Sequence, residues 1–165
     1  GQLAQFGGEH CHDSRGPTDD QRDLADDCGL LHRAMRITVD AAREYFAHPS
    51  QQVFGITPES LPGEPFEYWA SGDLCGAAHP APYRDVWMVH FAAKPCGWGN
   101  LIPAARLLLN EFWEEKKPAR IIGWTPAELR AAVAFVRRVG FVEDGRMPVR
   151  NGFVIMSGWS PANGD

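Results

Sequence analysis

From Met35 onward, the spacing of apolar residues predicts a regular succession of elements. Met35-Arg36-Ile37-Thr38-Val39 alternates with a period of two and is β-prone, so it reads as a strand. Asp40 is the expected cap of a short helix through Ala41, Ala42, Tyr45 and Phe46, stopped by Pro49. Residues 50–65 hold Pro58, Pro62, Gly63 and Pro65 and read as loop. Phe66 to Ala70 and Leu74 to Ala78 flank the turn formers Ser71-Gly72-Asp73, which predicts a hairpin. After Pro80 and Pro82, the stretch Asp85–Ala93 is apolar almost throughout, as expected of a strand covered on both faces.

The period then changes to that of a helix. Leu101, Ala104, Ala105, Leu108, Phe112 and Trp113 form one apolar face, Lys116 and Lys117 suit the last turn and read as a solvated face, and Pro118 ends it. Arg120–Trp124 is a further buried strand. Thr125, Pro126 and Glu128 spell a cap, a first helical position and a capping box. The predicted helix buries Ala131, Ala132, Phe135, Val136 and Val139 and ends at Gly140. Phe141–Met147 and Phe153–Trp159 close the chain as two strands. The order β-α-β-β-β-α-β-α-β-β describes a mixed α/β sheet with helices on both faces.

Composition narrows the function classes. The 165 residues are 44% hydrophobic and 22% charged, enough for the core of a single domain. A net charge of -5 argues against a general nucleic-acid or acidic-membrane binder. Residues 1–34 hold three Arg against seven Asp/Glu, so they read as an acidic extension to a domain over 35–160, with 161–165 as a tail. Four scattered cysteines (Cys11, Cys28, Cys75, Cys96) read as reduced thiols of a cytoplasmic protein. Glu9-His10-Cys11-His12-Asp13 has metal-ligand residue types, but no second ligand pair completes a tetrahedral set, so no metal is expected.

The candidate chemistry lies in Lys94-Pro95-Cys96-Gly97-Trp98-Gly99-Asn100, between an apolar strand and an amphipathic helix. Glycines let backbone N–H groups approach an anion, the helix start adds a positive dipole end, and Lys94 adds a charge. The spacing is neither a Walker loop nor a dinucleotide fingerprint.

Val89-His90 followed by this loop is similar to the Q/R-x-x-G-x-G/A pyrophosphate loop of the GNAT superfamily of N-acetyltransferases. Ala132 through Val136-Arg137-Arg138-Val139-Gly140-Phe141 is similar to that family's A-x-x-x-Y-x-x-x-G-F. The wording GWGNLIPAARLL is most like divergent GNAT-like proteins of tailed phages and prophages. The resemblance implies a mostly antiparallel sheet whose fourth and fifth strands splay to admit acetyl-CoA. It implies that Val89 and its neighbours hold pantetheine, that Lys94, Pro95 and the amides of Cys96 to Asn100 hold pyrophosphate, and that Arg138 meets the 3′-phosphate. The expected partner is an amine acceptor, small molecule or protein; a homodimer and a phage or host protein partner stay open.

The sequence departs from the family at three positions. Lys94 replaces Gln or Arg, Leu129 stands at the common Asn, and Val136 stands at the common Tyr that protonates the leaving thiolate. His90 is the candidate base, and Asp85 and Tyr83 at the strand's start are further catalytic candidates. Trp98 either lines or blocks the cofactor cleft. The alternative function is a GNAT-fold protein that has lost its chemistry and serves in binding or assembly.

Overall fold

The computed structural model describes residues 33–49, 51, 55–95 and 101–163. The Gly72-Asp73 turn fixes the first register: Gly72 has φ 55°, which glycine adopts without a Cβ clash, and Ser71 pairs with Leu74 across it. Strands β2 (Glu67–Ser71) and β3 (Leu74–Pro80) therefore run antiparallel. β1 (Met35–Ile37) pairs with the outer side of β2, and β4 (Val86–Ala93) with β3. Helix α2 (Leu101–Lys116) carries the chain over to β5 (Arg120–Pro126), which lies parallel to β4. Helix α3 (Arg130–Val139) leads to the hairpin of β6 (Val142–Val149) and β7 (Gly152–Trp159), and β7 pairs with β5. The seven-stranded sheet has the order β1-β2-β3-β4-β5-β7-β6 and is antiparallel except at β4–β5. This is the mixed, mostly antiparallel α/β architecture that the sequence implies.

Strand alternation sends successive side chains to opposite faces. Trp69, Leu74, Ala78, Val89, Ile121 and Trp159 form one face, covered by Ala105, Leu108, Leu109 and Phe112 of α2 and Val139 of α3. Tyr68, Ala70, Cys75, Ala77 and Ala92 form the other. That face is covered by Ala42 of α1 (Val39–Ala42) and by Tyr45 and Phe46 of the 3-10 turn Arg43–Phe46. The second cover stops at β4. Trp124, expected to pack, is consequently 47% exposed on β5, because its register places it on the face that α2 and α3 do not cover.

Three local expectations are corrected. The cap of α1 is Thr38, not Asp40: its Oγ1 accepts the Ala41 N–H at 3.2 Å. Thr125 and Pro126 do not start α3 but extend β5, opposite Ile155 and Val154, and the helix begins at Arg130. Cross-strand pairing with β7 wins there over a local capping signal. Lys116 is not on a solvated face; its ammonium lies 2.7 Å from Glu67 and 5.4 Å from the centre of the Trp87 ring. Gly140 does end α3 as expected, with φ 114° and Phe141 N–H donating to Val136 O at 3.0 Å.

The proposed extension, with its His10–His12 segment, lies outside the described residues as far as residue 32, and Ala34 already belongs to the core at 5% exposure. Among the described residues no helix is long and apolar enough to cross a membrane.

Leu108 is 1% exposed in the main cluster. Leu108→Ala is expected to lower stability by about 2–5 kcal/mol in urea unfolding. Gly140→Ala is expected to lower it by about 1–2 kcal/mol through the left-handed backbone.

Candidate active site

β4 and β5 share only three paired positions, Val86↔Arg120, Trp87↔Ile121 and Met88↔Ile122. Both strands continue, to Ala93 and Pro126, without pairing to each other again. β4 stays paired with β3 along its whole length, so it is β5 that leaves. Backbone groups along a strand point alternately to its two neighbours. Lys94 N–H donates to Asp73 O on the β3 side, which places the groups of His90 and Ala92 on that side too. Those of Val89 and Phe91 therefore face the parted side. Phe91 O accepts a hydrogen bond from Gln51 Nε2 at 3.5 Å, and a Cβ on Gly123 would lie 3.8 Å from Val89 O. An edge of polar backbone is thus presented along a narrow opening in an otherwise continuous sheet.

His90 sits at this parting, on the face covered by the 3-10 turn. It lines a pocket of about 290 Å³ with Phe46, Ile56, Leu61, Pro62, Phe66 and Tyr68. The lining is mainly apolar, and its other polar side chains are committed. Tyr68 Oη donates to Pro62 O at 2.7 Å and Ser60 Oγ to Thr57 O at 3.0 Å. Burial pushes the Tyr68 hydroxyl up to about 12, so it stays protonated. Burial, and next the neighbouring His79, pull His90 down to about 4, so its imidazole is neutral at physiological pH. His90 Nε2 lies 3.3 Å from Nε2 of His79 on β3.

The other predicted residues scatter. Asp85 and Tyr83 are in the β3–β4 connection, at the end of β4 where β5 is still paired. Tyr83 is 74% exposed, and Asp85 pairs with Arg84 at 3.4 Å. Five residues of strand at about 3.3 Å each separate Asp85 from His90, so the structure does not bring these three candidates together. Lys94 points to the face opposite α2 and α3. Its ammonium is 2.9 Å from Glu44 and 4.9 Å from the Tyr45 ring centre, so its charge is already offset. Pro95 is exposed, and Cys96, Gly97, Trp98, Gly99 and Asn100 lie outside the described residues. Arg138 is exposed in the last turn of α3, where its carbonyl accepts from Arg106 Nη2 at 2.9 Å. Val136 packs against the main core. Leu129 precedes α3 without a side-chain cap. Cys75 is buried, with its thiol pushed up to about 12, and is chemically inert. Among the described residues no group of three His, Cys, Asp or Glu is placed for a metal.

Sequence reading missed His79, Gln51 and the pocket wall at 56–68. A signal for His79 existed in the strand register. With Ala77 opposite His90 and His79 opposite Met88, the two histidines are diagonal neighbours on one face.

No protein-family model matches the chain, and no curated protein matches it. Solved structures match its architecture. A GNAT-family acetyltransferase from Streptococcus pneumoniae superposes with a TM-score of 0.53 at 14% identity, over 76% of this chain and 96% of that one. The ribosomal-protein-S5-alanine acetyltransferase from Vibrio fischeri gives 0.56 at 11%, over 80% and 94%. An aminoglycoside acetyltransferase solved with coenzyme A and kanamycin gives 0.58 at 11%, over 79% and 95%. The fold is that of the GNAT acetyltransferases. Identities this low show the fold alone.

The depressed His90 makes stability depend on pH. Unfolded, its ring takes a proton below about pH 6.5. Folded, it does so only near pH 4. The unfolded chain binds the extra proton in between, so stability falls as pH drops from about 6.5 to 4, by up to about 3 kcal/mol, and is level above 7. Urea unfolding of wild type and His90→Gln across this window checks it: the variant should lack that part of the slope.

Proposed function

We propose that the chain is an N-acetyltransferase that moves acetyl from acetyl-CoA to a primary amine carried on a small apolar body. The observation that carries this reading is the early end of the β4–β5 ladder, with backbone edges at Val89 and Phe91 turned to the opening and a pocket holding a neutral imidazole beside it. Extended amides of pantetheine would pair with that edge as an added strand does. Backbone amides of Cys96 to Asn100, at the start of α2, would take the pyrophosphate, and Arg138 the 3′-phosphate. Lys94, held by Glu44, would contribute little there.

The reaction needs three things from the protein: an aligned thioester, an apolar site that keeps the amine unprotonated, and a group that takes its proton on attack. The pocket lining suits the second and His90 the third. Val136 has no proton to give, so the coenzyme would leave as thiolate and take its proton from solvent. A second reading, a GNAT-fold protein that has lost its chemistry and serves in binding or assembly, is favoured by Val136 and Leu129 at the family's Tyr and Asn positions.

Two measurements separate the readings. Acetyl-CoA at 100 Kd should stabilise the protein by about 2.7 kcal/mol in a thermal melt. Coenzyme release with an amine panel should then identify turnover. Stabilisation without turnover favours the binding component, and no shift at millimolar ligand overturns the coenzyme site altogether. Gly97→Glu should abolish the shift by placing a carboxylate in the phosphate cradle, whereas Lys94→Gln should leave affinity within about threefold, the scale of an exposed ion pair.

A further inference from the structure

The two histidines of β3 and β4 form a directed hydrogen-bond chain. His79 Nδ1 lies 3.0 Å from Pro80 O. A carbonyl oxygen only accepts, so Nδ1 carries the hydrogen, and Nε2 of the neutral ring is then a bare acceptor. That nitrogen is 3.3 Å from His90 Nε2, which must be the donor. The ring centres are 5.4 Å apart with an interplanar angle of 10°, so the nitrogens lie between the rings, edge to edge, as an N–H···N bond requires. The remaining lone pair of the pair is on His90 Nδ1. Phe66 stacks on His79 at 4.4 Å, a ring face that favours a cation beside it.

We propose that His79 is the proton relay of this site, taking the Nε2 proton of His90 as His90 Nδ1 takes the proton of the attacking amine. The proposal rests on the acetyltransferase reading above. The amine nitrogen bonds to the thioester carbonyl carbon, the carbon–sulfur bond breaks, and the coenzyme leaves as thiolate. The amine proton goes to His90, the Nε2 proton of His90 goes to His79, and His79 becomes imidazolium, its two N–H groups directed at Pro80 O and His90 Nε2. Once the product has left, His79 returns the shared proton to His90 Nε2 as His90 Nδ1 gives up its own to water, which restores both starting tautomers. The charge never rests on His90, whose surroundings oppose it. Among the described residues, the titratable groups facing His90 are His79 from β3 and Tyr68 from β2, whose hydroxyl is held by Pro62 O. The described pocket lining contains no Asp, Glu, Lys or Arg that would hold the proton instead. His79 is a positioning residue in this scheme, because it acts through His90.

Ring-nitrogen NMR of the full chain tests the relay without any substrate. At neutral pH, His79 should be protonated at Nδ1 and His90 at Nε2. A His90 that carries its hydrogen on Nδ1 at neutral pH, or a His79 that carries its own on Nε2, overturns the relay. With an amine found by the panel, His79→Gln should lower kcat tenfold or more and change the pH–rate profile, while acetyl-CoA affinity stays within twofold. His79→Phe, which keeps the contact with Phe66, should show the same loss. Unchanged kcat in both variants, or a loss matched by lost acetyl-CoA affinity and a lower melting temperature, overturns it. Failure of the wild-type chain to bind acetyl-CoA overturns the acetyltransferase reading instead, and the ring-nitrogen spectra still decide whether the hydrogen-bond chain runs in this direction.

Discussion

Everything about the candidate site follows from β5 leaving β4 after three residues. A parallel neighbour normally satisfies the backbone of both strands along their length. Here β4 is held firmly by β3, while β5 is held by β7 from Ile121 to Pro126, and the two hairpin systems diverge. The sheet core is still continuous through its side chains, since Val89, Ile121, Phe141 and Trp159 share one cluster beneath α2. Phe91 contacts Phe135 and Phe141 edge to face, which packs the helix side of the divergence with aromatic rings. The polar consequence is left on the backbone. Phe91 O turns to Gln51 for a donor, as a strand carbonyl does when its neighbour is missing.

The two faces of the sheet then divide the chemistry. The face under α2 and α3 is apolar and closely packed: Leu108 would contact a Cβ on Gly76 at 3.1 Å. The other face carries a short helix and 3-10 turns over β1 to β4, and between them lies the pocket with His90. Neutral imidazole, apolar wall and committed hydroxyls make a site that excludes charge in its resting state. A base in such a place works only if the charge it gathers has somewhere to go. The bond to His79 supplies that direction.

Most of the architecture was legible in the sequence because hydrophobic period reports burial. Strand alternation, the helical face from Leu101 to Trp113 and the glycine at 140 each have one dominant physical reading. Errors arose where two readings competed for the same residues. Thr125 and Pro126 are good helix openers and also good partners for Ile155 and Val154, and only the sheet decides between them. Trp124 looks like core in a one-dimensional pattern, yet the cover over its face ends at β4. The site was less legible. His90 could be singled out by its strand, but His79 depends on the register of β3 against β4. Lys94 has the place of an anion ligand in the loop, and its strand parity sends it to Glu44 on the face opposite α2. Asp85 and Tyr83 stand at the start of β4, and the length of the strand separates them from His90.

The most direct test of the opening is a coenzyme A titration followed through the backbone amides of the full chain. Resonances of Val89 and Phe91 on β4, together with the Gln51 side-chain amide that now holds Phe91 O, should move in step with saturation. Their partners across the β3–β4 ladder should stay in place. Saturation that leaves these three groups unmoved, or no binding at millimolar coenzyme, would mean that the parted strands do not receive it.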